Sequence, residues 1–112
     1  MKKEMGTIKQ NSQILDAIRK KAKEIIPAGS QVILFGSQAR GDAREDSDWD
    51  VLILLEKDRV VPDDYDIYSY PLREMGWDLN ADINTILYTK KGWEEEHFTP
   101  FYHNVQEEGI VL

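Results

Sequence analysis

Two short apolar runs, residues 33–35 and 51–55, each meet a polar cluster at one end. The motif Gly-Ser-Gln-Ala-Arg-Gly at residues 36–41 follows the first run, and Ser-Asp-Trp-Asp at residues 47–50 precedes the second. Continuous apolar runs of this length predict strands that are buried on both faces. The polar clusters are therefore expected at two strand ends, which lie side by side and form one site.

Length and composition limit what such a site can do. The chain has 112 residues and no cysteine, and its 21 acidic and 14 basic residues give a net charge of −7. This length predicts one domain over residues 1–112, with residues 1–10 flexible. An acidic domain is not expected to bind nucleic acid directly, because phosphate neutralisation needs a basic face. A magnesium-bound nucleotide is compatible, since the metal brings its own positive charge.

The same composition carries expectations about location. Without cysteine the chain can form neither a disulfide nor a thiolate metal site, and the reducing cytoplasm is its simplest setting. No stretch approaches the roughly 20 apolar residues of a membrane span. We therefore predict a cytoplasmic protein that does not interact with membranes.

Hydrophobic periodicity and breaker residues predict an alternation of helices and strands. The expected elements are a helix capped by Asn11 or Ser12 and ended by residues 27–29, strands at 31–35, 49–55 and 79–88, a helical turn at 39–42, a helix at 65–75 that Pro71 kinks or divides, and helical segments from Gly92 and from Pro100 to Glu108. This order predicts an α+β (α/β two-layer) domain, with a small mixed sheet and flanking helices.

The Gly36-Ser37 pair is a candidate phosphate-binding loop. A glycine directly after a buried strand lets the backbone turn sharply and approach a ligand without a β-carbon in the way. If a helical turn follows, its free N–H groups point toward the same place and can seat a terminal phosphate. The alternative is an ordinary strand-to-helix turn. The pair alone therefore does not indicate phosphate binding, and the interpretation depends on the neighbouring motifs.

Asp48 and Asp50 are candidate metal ligands. Residues two apart on a strand project to the same side, so both carboxylates can reach one metal ion or bridge two. Asp82 is the candidate third ligand, because it lies beside Ile83 in the third predicted strand, whereas Asp78 falls where a turn or cap is expected. Three carboxylates at one spot repel each other strongly unless cations join them, which favours two Mg²⁺ ions.

Together these motifs resemble the DNA polymerase β nucleotidyltransferase superfamily in its minimal, MNT-type branch, some of whose members are antitoxins. The resemblance rests on Gly-Ser-x-Ala-Arg-Gly followed by Ser-Asp-x-Asp-Val-Leu, on Ala-Asp-Ile at residues 81–83, and on a closing segment at residues 100–110. It covers most of the chain and implies a polymerase β-like nucleotidyltransferase fold.

The resemblance also implies a role for each matching residue. Gly36 and Ser37 would hold the β- and γ-phosphates of ATP or another nucleoside triphosphate. Asp48 and Asp50 would ligate two Mg²⁺ ions, and Asp82 would ligate the metal nearer the acceptor and help to deprotonate the acceptor hydroxyl.

The sequence is compatible with two roles for Arg40. It is either a nucleotide-binding residue that contacts phosphate or a partner of Asp42, Asp46 or Asp48 that fixes the loop.

The implied activity is Mg²⁺-dependent transfer of a nucleoside monophosphate, with AMP from ATP as the expected case, to a hydroxyl of a protein partner. In this branch such domains are often paired with a small helical HEPN-type protein as toxin–antitoxin modules, and such a partner is expected here. One alternative is a non-catalytic nucleotide-binding module that neutralises a partner by contact. Another is an aminoglycoside-type small-molecule nucleotidyltransferase, in which a homo-oligomer would supply the missing second domain.

Overall fold

The structure is a computed structural model that describes the backbone of residues 2–112 and the side chains of residues 12–112. The side chains of residues 1–10 lie outside that description, and the predicted flexibility of this segment stays a prediction. In chain order the elements are α1 (Lys2–Ile25), β1 (Gln31–Phe35), α2 (Ser37–Arg40), β2 (Trp49–Leu55), α3 (Pro62–Asp64), a π-helical segment (Tyr65–Ser69), α4 (Tyr70–Asp78), β3 (Ile83–Thr89), α5 (Lys90–Glu95), α6 (Pro100–Glu108) and β4 (Ile110–Val111).

The four strands form one sheet in the order β3-β2-β1-β4. Strand β1 pairs antiparallel with both β2 and β4, whereas β2 and β3 run parallel. The sheet is therefore mixed and has helices on its faces, which confirms the predicted α+β fold class.

Helices α1 and α4 cover one face of the sheet. Strand residues alternate between the two faces, so every second side chain of β2 points toward these helices. In α1 the buried residues Ile14, Ile18 and Ala22 recur at four-residue steps, as the apolar pattern predicts. The resulting core consists of Ile14, Ile18, Ala22, Val32, Leu34, Trp49, Val51, Ile53, Leu55, Leu72, Ile83 and Leu87.

Helices α5 and α6 cover the opposite face. Trp93 of α5 is only 2% exposed and packs against the rings of Tyr88, Phe101 and Tyr102. Helix α5 begins at Lys90, two residues before the predicted Gly92, because the Thr89 hydroxyl caps it by accepting a hydrogen bond from the Gly92 N–H at 2.9 Å. This second, smaller core supports the sheet face on which the polar strand-end residues lie.

Other predicted element boundaries are wrong for identifiable reasons. Helix α1 begins at Lys2, so neither Asn11 nor Ser12 caps it. Both residues lie inside the helix, where polar side chains are tolerated if another face of the helix packs against the core. Pro71 does not end the second helix, because the helical run continues through it from the π-helical segment at Tyr65–Ser69 into α4.

The third strand is shorter than predicted. It begins at Ile83 instead of residue 79, because α4 continues to Asp78 and Asn80 then turns the chain with a φ of 56°. Asp82 therefore lies in the connecting loop, immediately before β3. No helix among the described residues has the length and apolar character that crossing a bilayer requires.

Candidate active site

The polar strand ends meet at one edge of the sheet. Phe35, the last residue of β1, pairs with Asp50 of β2, and Asp50 in turn pairs with Asn84 of β3. Residues opposite each other in neighbouring strands point to the same face. Asp50 is thus flanked by an aromatic ring on one side and a carboxamide on the other, on the face that α5 and α6 cover.

Gly36 forms the turn between β1 and α2. Its backbone has a φ of 76° and a ψ of −159°, a conformation that residues other than glycine rarely adopt. A Cβ atom at this position would collide with the Asp50 carboxylate. Glycine therefore lets the backbone pass directly beside the Asp50 carboxylate. A loop that brings a phosphate close to a carboxylate needs this close approach.

Helix α2 begins at Ser37, within the predicted loop. The Ala39 and Arg40 N–H groups donate to the Gly36 carbonyl at 3.1 and 3.0 Å, and the first N–H groups of the turn have no partner within the helix. Such free N–H groups suit an anion. The geometry supports the predicted phosphate-binding role of Gly36 and Ser37, which stays a prediction.

Burial and three neighbouring side chains affect the pKa of the Asp50 carboxyl. Burial raises the pKa of the Asp50 carboxyl above its usual value, a hydrogen bond from Asn84 lowers it, the negative charge of Asp48 raises it, and the positive charge of Arg40 lowers it. Asp50 is half-buried and Asp48 is exposed. The aromatic pair Phe35 and Phe101, with ring centroids 5.4 Å apart, supplies apolar surface beside Asp50.

This pair of carboxylates fits a divalent cation. Burial raises the pKa of the half-buried Asp50 carboxyl, so a nearby cation would favour its charged form, and Mg²⁺ prefers oxygen ligands. Asp48 and Asp50 would hold the ion. Among residues 12–112, however, no group of three or more acidic or histidine side chains is arranged to bind a metal.

Asp82 is thus not assembled with the other two aspartates. Its side chain is exposed in the loop before β3, and its backbone carbonyl accepts a hydrogen bond from the Trp49 N–H at 2.8 Å. This bond ties the loop to the start of β2, next to Asp48. The proposed role of Asp82 as third ligand stays a prediction.

Arg40 forms two ion pairs. Its Nε lies 3.2 Å from Asp42 Oδ2 and its Nη1 lies 3.2 Å from Glu108 Oε2. One of the predicted partners, Asp42, is therefore observed, and Glu108 at the end of α6 is an additional one. The ion pairs link the candidate phosphate loop to α6.

Sequence reasoning missed Asn84. Its Nδ2 donates a hydrogen bond to Asp48 Oδ2 at 2.8 Å. An asparagine next to a threonine in an alternating strand is a weak signal, and only the parallel register of β2 and β3 places it beside the aspartates. Glu108 was missed for the same reason, since its contact with Arg40 spans 68 positions.

Comparison with known proteins gives a consistent result. The family model described as "Nucleotidyltransferase domain" matches residues 15–112. A protein of Methanocaldococcus jannaschii, whose name proposes a protein adenylyltransferase, is 36% identical over 112 residues, covering 96% of this chain and 99% of that protein.

Two solved structures share the fold. A proposed nucleotidyltransferase from Sulfolobus solfataricus superposes with a TM-score of 0.63 at 21% identity, covering 94% of this chain and 84% of that one. A toxin–antitoxin structure with AMP-PNP gives a TM-score of 0.57 at 20% identity, covering 86% of this chain and 69% of the matched chain.

The family match spans most of the chain, and its fold neighbours include a proposed nucleotidyltransferase. The predicted resemblance to minimal nucleotidyltransferases of the polymerase β superfamily is thereby confirmed. The chain belongs to the nucleotidyltransferase domain family.

Proposed function

We propose that this domain is a Mg²⁺-dependent adenylyltransferase that transfers AMP from ATP to a hydroxyl group of a protein partner. The observation that carries the proposal is the approach of the Gly36 backbone to the Asp50 carboxylate. A phosphate seated on the Gly36-Ser37 turn would lie next to a cation held by Asp48 and Asp50. The relative named for protein adenylylation supports the choice of AMP and of a protein acceptor.

The chemistry is an in-line displacement at the α-phosphorus. The acceptor oxygen forms a bond to the α-phosphorus, the bond from that phosphorus to the oxygen bridging to the β-phosphate breaks, and pyrophosphate leaves. A divalent cation held by Asp48 and Asp50 would stabilise the charge that develops on the phosphate oxygens. The Gly36-Ser37 turn orients the β- and γ-phosphates.

The acceptor must also lose a proton. We assign its removal to Asp82, which is exposed and therefore accessible to an incoming hydroxyl. The hydrogen bond between the Asp82 carbonyl and the Trp49 N–H keeps this loop beside the carboxylate pair. Asp82 is the proposed ligand of a second cation on the acceptor side.

The partner is proposed to be a separate protein. With a net charge of −7 the domain suits a basic partner surface better than a nucleic acid. The toxin–antitoxin fold neighbour supports a partner toxin, and we propose a small helical HEPN-type protein that adenylylation silences.

The test uses the purified chain, the candidate partner, Mg²⁺ and ATP labelled at the α-phosphate. We expect label on the partner, and a loss of at least about 100-fold when Asp48→Asn and Asp50→Asn are combined. The matched control is Asp46→Asn, which removes one charge from the same exposed segment and should keep activity near that of the unchanged protein. Undiminished transfer by the double variant would overturn the proposed site.

The competing hypothesis, neutralisation by contact alone, predicts a different result. In that case the Asp48→Asn, Asp50→Asn variant would still suppress the partner's activity at stoichiometric concentration. If adenylylation is the mechanism, suppression is lost together with the label.

A further inference from the structure

Asn84 joins the two candidate metal ligands from the neighbouring strand. It pairs in register with Asp50, and its Nδ2 donates to Asp48 Oδ2 at 2.8 Å. One neutral side chain is thus both the strand neighbour of Asp50 and a hydrogen-bond donor to Asp48.

Among the side chains that the structure describes, residues 12–112, only Asn84 forms a hydrogen bond with the Asp48 carboxylate. Asp48 lies one residue before β2 and its side chain is exposed. Two negative charges on the same side of one strand repel each other, so a free Asp48 would turn toward solvent and away from Asp50. A hydrogen bond from a fixed strand position holds its carboxylate in place.

The chemical type of the residue also matters. An asparagine amide donates to a carboxylate without neutralising it, so the pair keeps its full charge for a cation. A lysine at this position would compete with the cation. Outer partners that orient metal-binding carboxylates commonly change metal affinity by 10- to 100-fold when they are removed.

We propose that Asn84 is a positioning residue that holds Asp48 toward Asp50, so that both carboxylates face one divalent cation. This inference rests on the proposed metal site. It assigns to β3 a contribution separate from that of Asp82, which acts on the acceptor side.

The test measures Mn²⁺ binding to the full chain directly, from the loss of the electron paramagnetic resonance signal of free Mn²⁺. We expect Asn84→Ala to raise the Kd for Mn²⁺ about tenfold or more. The matched control is Asn104→Ala, which removes an exposed asparagine from α6 and should leave the Kd unchanged. An unchanged or lower Kd in Asn84→Ala would overturn the proposal.

A double-mutant cycle separates positioning from general damage to the fold. If Asn84 acts through Asp48, then Asn84→Ala should have little further effect on Mn²⁺ binding in the Asp48→Asn background. Equal effects in both backgrounds would overturn the assigned role. If the unchanged chain binds no Mn²⁺ at all, the metal site itself fails, and this inference fails with it.

Discussion

The backbone of Gly36 and the carboxylate of Asp50 are in such close contact that no β-carbon fits between them. The contact joins the end of β1 to the start of β2 and places the candidate phosphate loop beside a candidate metal ligand. Position 36 therefore favours glycine for two reasons: its φ is 76°, and the Asp50 carboxylate leaves no room for a β-carbon.

Gly36→Ala should reduce nucleotidyl transfer by about 100-fold or more, because the added methyl group must displace either the loop or Asp50, and small displacements at a catalytic centre are costly. The backbone strain adds about 1–3 kcal/mol of destabilisation, because a φ of 76° with a ψ of −159° is a conformation essentially restricted to glycine. Labelled transfer and urea unfolding measure the two effects separately.

Gly41→Ala is the matched control. Gly41 also has a positive φ, 85°, but a β-carbon there would meet no atom within 4 Å. Gly41 has a left-handed helical backbone with a ψ of 11°, so we expect Gly41→Ala to lower stability by about 1–2 kcal/mol and to change transfer little. Equal losses of activity in the two variants would show that the contact with Asp50 is unimportant.

A second prediction concerns the two roles considered for Arg40. Its guanidinium uses Nε and Nη1 for Asp42 and Glu108, which leaves further N–H donors for a phosphate. We expect Arg40→Ala to raise the KM for ATP about tenfold, the effect of losing one charge-assisted hydrogen bond. Steady-state kinetics at saturating Mg²⁺ provide the measurement.

Glu108→Gln distinguishes the alternatives. It weakens the ion pair but leaves the guanidinium free, so KM should stay unchanged or fall. Because the pair is exposed, stability should change by less than about 1 kcal/mol. If Glu108→Gln raises KM as much as Arg40→Ala does, Arg40 acts by fixing α2 to α6 and not by binding phosphate.

The site could be predicted from the sequence where the signal is local. The bounds of β1 and β2 follow from continuous apolar runs, and Trp49 between the aspartates is buried as the alternation requires. The contact of Asn84 with the aspartates could not be predicted in this way, because it depends on the parallel register of β3 with β2.

Some elements of the fold depend on tertiary contacts in the same way. Strand β4 has only two residues, Ile110 and Val111, and exists because they pair with β1. The continuous run of helix from α3 to α4 includes a π-helical segment, which intrinsic propensity does not predict.

A third prediction tests the core that supports the site. Trp93→Ala should destabilise the chain by about 3–5 kcal/mol, because this buried ring contacts three other aromatic rings and its removal leaves a cavity. Trp93→Phe, which leaves a smaller cavity, should cost less and keep the protein folded. Urea unfolding measures both.

Trp77→Ala serves as the comparison, since Trp77 is 55% exposed on α4. Its removal should change stability by less than about 1 kcal/mol. Similar costs at the two positions would contradict the described packing of α5 and α6 on the sheet.

The fourth prediction concerns Asp64, a buried carboxylate that is not part of the candidate site. It accepts hydrogen bonds from the Val61 N–H at 2.8 Å and from Lys57 Nζ at 2.9 and 3.0 Å. The bond from Val61 is the main cause that lowers the pKa of Asp64, burial opposes it, and Lys57 lowers it further.

A carboxyl group whose pKa is lower in the folded state stabilises the fold above its unfolded pKa of about 3.9. That contribution is lost as the pH falls below about 4 toward the lower pKa of the folded state.

At pH 7, Asp64→Asn should lower the free energy of unfolding by about 1–3 kcal/mol, because it weakens a buried charge-assisted network. The matched control is the neighbouring Asp63→Asn, where the side chain is exposed and little change is expected. Urea unfolding from pH 7 down to about 2.5 should show the difference between the unchanged chain and Asp64→Asn shrinking below pH 4. If that difference is the same at every pH, the ionised Asp64 does not stabilise the fold.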